Sequence, residues 1–101
     1  MVRHSVYFWL DDSLSDEQKL QFEGGLRALF DIDVVRHGSF ATAAGTPERP
    51  VTSNDYDYAL FLDFDSVDDH NTYQDHPDHE VFVNNFSPWF QTVKVFDAEI
   101  K

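Results

Sequence analysis

The chain contains no cysteine. Disulfides, thiolate nucleophiles and zinc–thiolate centres are therefore excluded. Positive charge is scarce too: seven Lys and Arg stand against nineteen Asp and Glu, a formal net charge of −12 over 101 residues. That balance repels phosphate backbones and anionic lipid, so neither nucleic acid nor a membrane is an expected partner. Long hydrophobic runs are also missing. The N-terminal apolar stretch stops at Asp11-Asp12, far short of the roughly 20 residues a spanning helix needs, and it lacks a small-residue cleavage site. It reads as a strand of a cytoplasmic protein. Internal repeats, low-complexity tracts, linker composition and EF-hand spacing are absent, which leaves one domain over residues 1–101.

Apolar residues are plentiful, at 42% of the chain with 16% aromatic, enough for a packed core. Val2, His4, Val6, Phe8 and Leu10 alternate with Arg3, Ser5, Tyr7 and Trp9, a strand by its period of two. Ser15 to Gln18 is a capping-box signature, and Phe22, Leu26, Leu29 and Phe30 follow as one helical stripe. Gly24-Gly25 inside that helix implies close packing or a bend. Residues 34–44 read as a second strand and 45–55 as a loop. A third strand is expected at 56–65, with Tyr58, Leu60, Leu62 and Phe64 on one face. Ser66, with Asp69 as capping partner, opens a helix running to about Asp75. A further helical stretch spans 77–90, and a last strand spans 92–100.

The order β-α-β-β-α-β, with its second helical segment broken at Pro77, predicts an α+β, ferredoxin-like monomer with a four-stranded antiparallel sheet. Its helices can cover only one face of that sheet. The other face carries Tyr7, Trp9, Phe61, Phe96 and Ile100, a patch of the kind that marks association. The expected partner is a second copy of the chain, packed against this open face as a homodimer.

Residues 73–79, Tyr-Gln-Asp-His-Pro-Asp-His, gather a phenol and two imidazoles at a corner. Pro77 suits the first position of a helix and pushes His76 out of helical geometry. His79 is a candidate general base, and Tyr73 a candidate donor to a developing enolate. Asp97 could fix a histidine tautomer, whereas His76 before a proline more often bonds backbone at the turn. His4 reads as a core histidine, and His37 and His70 show no partner and read as surface residues. His76 and His79 with Asp75, Asp78 and Glu80 offer metal-ligand atoms, but the pair straddles a turn and no third ligand is fixed by spacing. No metal or cofactor is expected. A pocket lined by Leu26, Leu29, Phe82 and Phe86, with Tyr73 and His79 facing in, would favour an enzyme; a filled core with those two rings on the surface would favour a scaffold.

The opening RHSVYFWLDDSLSDEQK, the block YDYALFLDFDSVDDHNTYQDHPDHEVFV and the closing VKVFDAEI resemble the stress-responsive A/B barrel, or dimeric α/β-barrel, domain family over nearly the whole chain. The resemblance implies a ferredoxin-like monomer whose homodimer closes a barrel. Most members of the family have no known reaction. In its plant polyketide cyclases, the resemblance implies, the histidine matching His79 is the base of a metal-free and cofactor-free aldol condensation, the tyrosine matching Tyr73 holds the substrate carbonyl, and His4 and Asp97 match further pocket residues. Tyr58 stands where those cyclases place another pocket histidine, and Asp78 replaces a small apolar residue. Substrate-binding candidates are accordingly His4, Tyr58, His76, Phe82, Phe86 and Asp97, toward a small apolar or polyketide-like ligand. The functional expectation is a homodimeric protein with a small-molecule pocket near Tyr73 and His79. The alternatives are a cofactor-independent cyclase, aldol or lyase enzyme and, by analogy of fold alone, a cofactor-free monooxygenase.

Overall fold

A computed structural model describes all residues, 1–101. Strand β1 (Val2–Leu10) lies between β3 (Tyr58–Phe64) and β4 (Phe90–Glu99), with β2 (His37–Ala41) beyond β3, and every neighbouring pair is antiparallel. Helices α1 (Asp16–Leu29), α2 (Val67–Asp75) and α3 (Pro77–Phe86), followed by a 3-10 turn at Ser87–Trp89, complete the expected order. No helix is long and apolar enough to cross a membrane.

The period-two pattern of β1 is realised directly. Val2, His4, Val6, Phe8 and Leu10 are buried, while Ser5, Tyr7 and Trp9 are half-covered on the opposite face. Phe22, Leu26 and Leu29 of α1 meet them, with Tyr58, Leu60, Leu62 and Phe64 of β3 and Phe82 and Phe86 of α3, in one core. Each such side chain fully removed from water contributes about 1.5–3 kcal/mol.

The caps are largely as expected. The Ser15 hydroxyl accepts from the Gln18 amide at 3.1 Å, and the Gln18 side chain accepts from the Ser15 amide at 2.8 Å, a complete capping box. At Ser66 only half of the expected box forms. Its hydroxyl accepts from the Asp69 amide, and the short Asp69 side chain does not return the bond. His76 ends α2 in extended conformation and begins α3, with Pro77 at the first turn.

Two strands are shorter than their sequence suggests. Residues 34–36 and 42–44 fall outside β2; at its start the chain turns, the Val35 amide reaching back to the Ile32 carbonyl, while Val34 and Val35 pack on the core. Tyr56 and Asp57 fall outside β3. Asp57 instead closes the end of β1: its amide donates to the Phe8 carbonyl and its carboxylate accepts from the Leu10 amide at 2.7 Å, next to the register shift between β1 and β4. Helix α3 gives way to the 3-10 turn after Phe86, so the expected helix to residue 90 stops early, at Pro88's turn.

Gly25 sits under Phe86 of α3, and Gly38 of β2 sits under Phe30. Gly24 faces open space.

The face of the sheet away from the helices is uncovered. Tyr7 makes edge-to-face contacts with Tyr56, Phe61 and Phe96, and Lys94 lies over the Trp9 ring at 5.4 Å. Phe96 is 60% exposed. Beyond Phe90, which packs on the core, strand β4 is exposed on both faces. Val95, opposite buried Val6 and hence on the helix side, is 50% exposed.

Candidate functional site

Where β1, β4, α2 and α3 converge, five polar side chains come together from four elements. The antiparallel register of β1 and β4 sets His4 opposite Asp97. His4 Nδ1 and Asp97 Oδ1 are 2.5 Å apart. A carboxylate can only accept, so Nδ1 carries the proton and donates. Helix α2 delivers His70 and Tyr73, which lie on one face by their i, i+3 spacing. The His70 ring is 4.9 Å from that of His4, and Tyr73 is 5.8 Å from His4. His79, in the first turn of α3, sets its ring 4.8 Å from Tyr73 in an edge-on contact. Phe64 backs the group, 5.2 Å from Tyr73, 5.7 Å from His70 and 6.3 Å from His4.

Burial decides the protonation of Tyr73, His79 and His4. Tyr73 is 1% exposed, and burial pushes its hydroxyl well above the usual phenol range, so it remains a donor. Burial depresses His79, the nearby His4 and His70 add to the effect, and a main-chain hydrogen bond at Gln74 opposes it. His4 is depressed chiefly by burial as well. Its bond to Asp97 works against that, and the charge of His70 works with it. Both His4 and His79 are therefore neutral imidazoles at pH 7, His79 as a potential proton acceptor.

His70 corrects the sequence reading. It is not a free surface residue: its side chain is only 16% exposed, and its Nε2 is buried without a hydrogen-bond partner, 3.9 Å from Asp97 Oδ2. Its neighbours are remote in sequence, and the i, i+3 relation to Tyr73 was the one signal that could have linked it to the site. His37 is exposed, as expected.

The remaining candidates lie elsewhere. Tyr58 sits at the far end of β3 from Leu62, the partner of His4, and its hydroxyl donates to Glu23 of α1 at 2.7 Å. The His76 ring accepts from the Asp78 amide at 3.0 Å, so it caps α3, in line with its position before proline. Phe82 and Phe86 are buried against Phe22, at 5.8 and 5.4 Å, and belong to the core with Leu26 and Leu29. Tyr73 is enclosed rather than on the surface, while Leu26, Leu29, Phe82 and Phe86 pack in the core, so the outcome falls between the two patterns the sequence set against each other. Two concavities open on the uncovered sheet face, one around Tyr7, Trp9, Tyr56, Lys94 and Phe96 and one around Arg3, His37, Phe61 and Asp63. Neither is lined by Tyr73 or His79.

Residues 2–100 match the profile of the stress responsive A/B barrel domain. The chain belongs to that family. No curated protein matches the domain in sequence. Among solved structures, the domain is similar to a Dabb family protein with a ferredoxin-like fold from Mesorhizobium loti, 26% identical with a TM-score of 0.78 over 99% of this chain and 96% of the other. It is similar to a dimeric ferredoxin-like protein of unknown function from Thermobifida fusca, 25% identical with a TM-score of 0.81 over 98% and 90%. A hydroxynitrile lyase from Passiflora edulis, 23% identical, shares the domain's fold with a TM-score of 0.83 over 99% and 93%. The ferredoxin-like fold and the family read from the sequence are thus those of the domain.

Proposed function

We propose that this domain works as a homodimer whose two sheets meet through their open faces, and that each subunit binds a small carbonyl-bearing molecule, apolar or polyketide-like, beside Tyr73 and His79. The observation that carries the reading is the 4.8 Å edge contact between a buried tyrosine and a half-buried, neutral histidine. His79 can take a proton from carbon next to a carbonyl, while the Tyr73 hydroxyl donates to the oxygen on which charge develops. His4, fixed by Asp97, stands behind Tyr73 as a second oriented imidazole. The uncovered aromatic face and the dimeric relatives support the homodimer. The lyase among proteins of this fold supports the enzymatic form of the reading.

Exchange of carbon-bound hydrogen provides the test. Pentane-2,4-dione and a short polyketide lactone, incubated with the protein in deuterium oxide, should take up deuterium faster than in buffer. His79→Ala should remove roughly 100-fold or more of that acceleration. Tyr73→Phe should remove part of it. Equal exchange in wild type and His79→Ala, with the mutant folded, would reject His79 as the base.

A further inference from the structure

We propose that His4, His70 and Asp97 form a binding site for a divalent transition-metal ion of the zinc and cobalt class. The inference stands on these three residues and is independent of proton transfer at His79. Each side chain offers one ligand atom, and the three atoms lie within 4.8 Å of one another. In a tetrahedral site with bonds of about 2.0–2.2 Å the ligand atoms stand about 3.3–3.6 Å apart. Closing on a cation from the 4.8 Å spread therefore requires a shift of roughly 1.2–1.5 Å in the widest pair. Asp97 can supply part of that movement, because its side chain is 44% exposed, and rotation of the His70 ring, whose side chain is 16% exposed, supplies the rest.

His70 is the residue that points to a ligand. Its Nε2 is buried with no partner, and a buried polar atom left unpaired costs on the order of 1–3 kcal/mol. Asp97 Oδ2, 3.9 Å away, is too far to accept a hydrogen bond from it. A cation between the three groups removes that deficit and displaces to solvent the proton that now bridges His4 and Asp97. Two imidazoles and one carboxylate leave a fourth position open for water or another ligand, and they favour zinc-like ions over calcium or magnesium, which take oxygen ligands. Phe64 and Tyr73 wall the site on the core side, and entry lies along exposed Asp97. The chain's net charge of −12 favours approach of a cation. The pair suggested by spacing, His76 and His79, is a poorer site because His76 Nδ1 already accepts from the Asp78 amide.

Titration of chelator-stripped protein with Co2+ tests the assignment. One ion per chain should bind with the visible bands of a low-coordinate site, and Zn2+ should displace it. His70→Asn should weaken binding by more than the roughly 100-fold that loss of an outer partner can cost. His76→Ala should bind as wild type does. Long-range 1H–15N spectra of the unaltered protein give a second readout that needs no variant: Zn2+ should shift the ring nitrogens of His4 and His70. Absence of Co2+ binding, undiminished affinity in folded His70→Asn, loss of binding in His76→Ala, or ring shifts confined to His37 and His76 would each overturn the site.

Discussion

Gly25 of α1 lies so close to Phe86 of α3 that a β-carbon added to the glycine would stand 2.3 Å from Phe86 Cε2. The ring cannot easily retreat, because Phe22, Phe82 and Trp89 pack around it with centroids 5.1–5.4 Å away. Its neighbour Gly24 meets nothing within 4 Å. The two glycines should therefore respond oppositely to the same change. Gly24→Ala should stabilise the protein by about 0.4–1 kcal/mol, the usual gain where the backbone accepts alanine. Gly25→Ala should destabilise it by about 1–3 kcal/mol through overpacking. Urea denaturation of both variants checks the pair, and a stabilised Gly25→Ala would show that α1 and α3 are not in this contact.

The open sheet face predicts a change of assembly without a change of fold. Phe96 projects from β4 beside Tyr7 and is largely exposed in the single chain. Phe96→Asp should leave the far-ultraviolet circular dichroism intact while converting a micromolar dimer to monomer. Sedimentation equilibrium separates the two species. A wild type that sediments as a folded monomer at that concentration would remove the homodimer.

Acid should weaken the fold in two separate windows. His4 and His79 bind protons less tightly folded than unfolded, so the unfolded chain takes up more protons once pH falls below the ordinary value of 6.5. Their contribution is fully present above 6.5 and is lost as pH falls toward and below their depressed folded values. Asp63 is held below the usual 3.8 by its hydrogen bonds from Arg3, at 2.9 and 3.1 Å, so its contribution is retained down to about that value and lost only in stronger acid. Melting temperature followed from pH 7.5 to 5 should decline below 6.5. The decline should be shallower in His79→Gln, and an unchanged slope would show that His79 does not titrate in this window.

Tyr58 and Tyr73 should separate by phenotype. The Tyr58 hydroxyl joins β3 to α1 through Glu23, and burial and that partner both push it above the ordinary phenol range. Tyr58→Phe should cost about 1 kcal/mol of stability and leave ligand binding near His79 unchanged. Tyr73→Phe should affect the ligand more than the melting point. Parallel thermal shift and binding measurements decide, and a ligand defect in Tyr58→Phe would return that residue to the site.

Much of the fold is readable because local signals and packing agree. Alternation in residues 2–10, the capping box at Ser15 and the proline at 77 each name one conformation, and the structure adopts all three. The disagreements occur where tertiary contacts override local pattern. Val34 and Val35 are good strand residues spent on a turn that packs against the core, and Asp57 leaves its strand to cap β1. The site was half legible. Tyr73 and His79 sit within seven residues and could be paired by reading, and so could His76 as a cap. His70 could be reached only through its i, i+3 relation to Tyr73, because its neighbours His4 and Asp97 arrive on strands β1 and β4 from opposite ends of the chain.

The junction at His76 has a mechanical consequence. One residue finishes α2 and starts α3, with a proline immediately after it and its own ring tied to the next turn. No spare link remains between the two helices to absorb a change of angle. Tyr73 on one arm and His79 on the other are thus held at one separation, like the jaws of a caliper locked at a single setting.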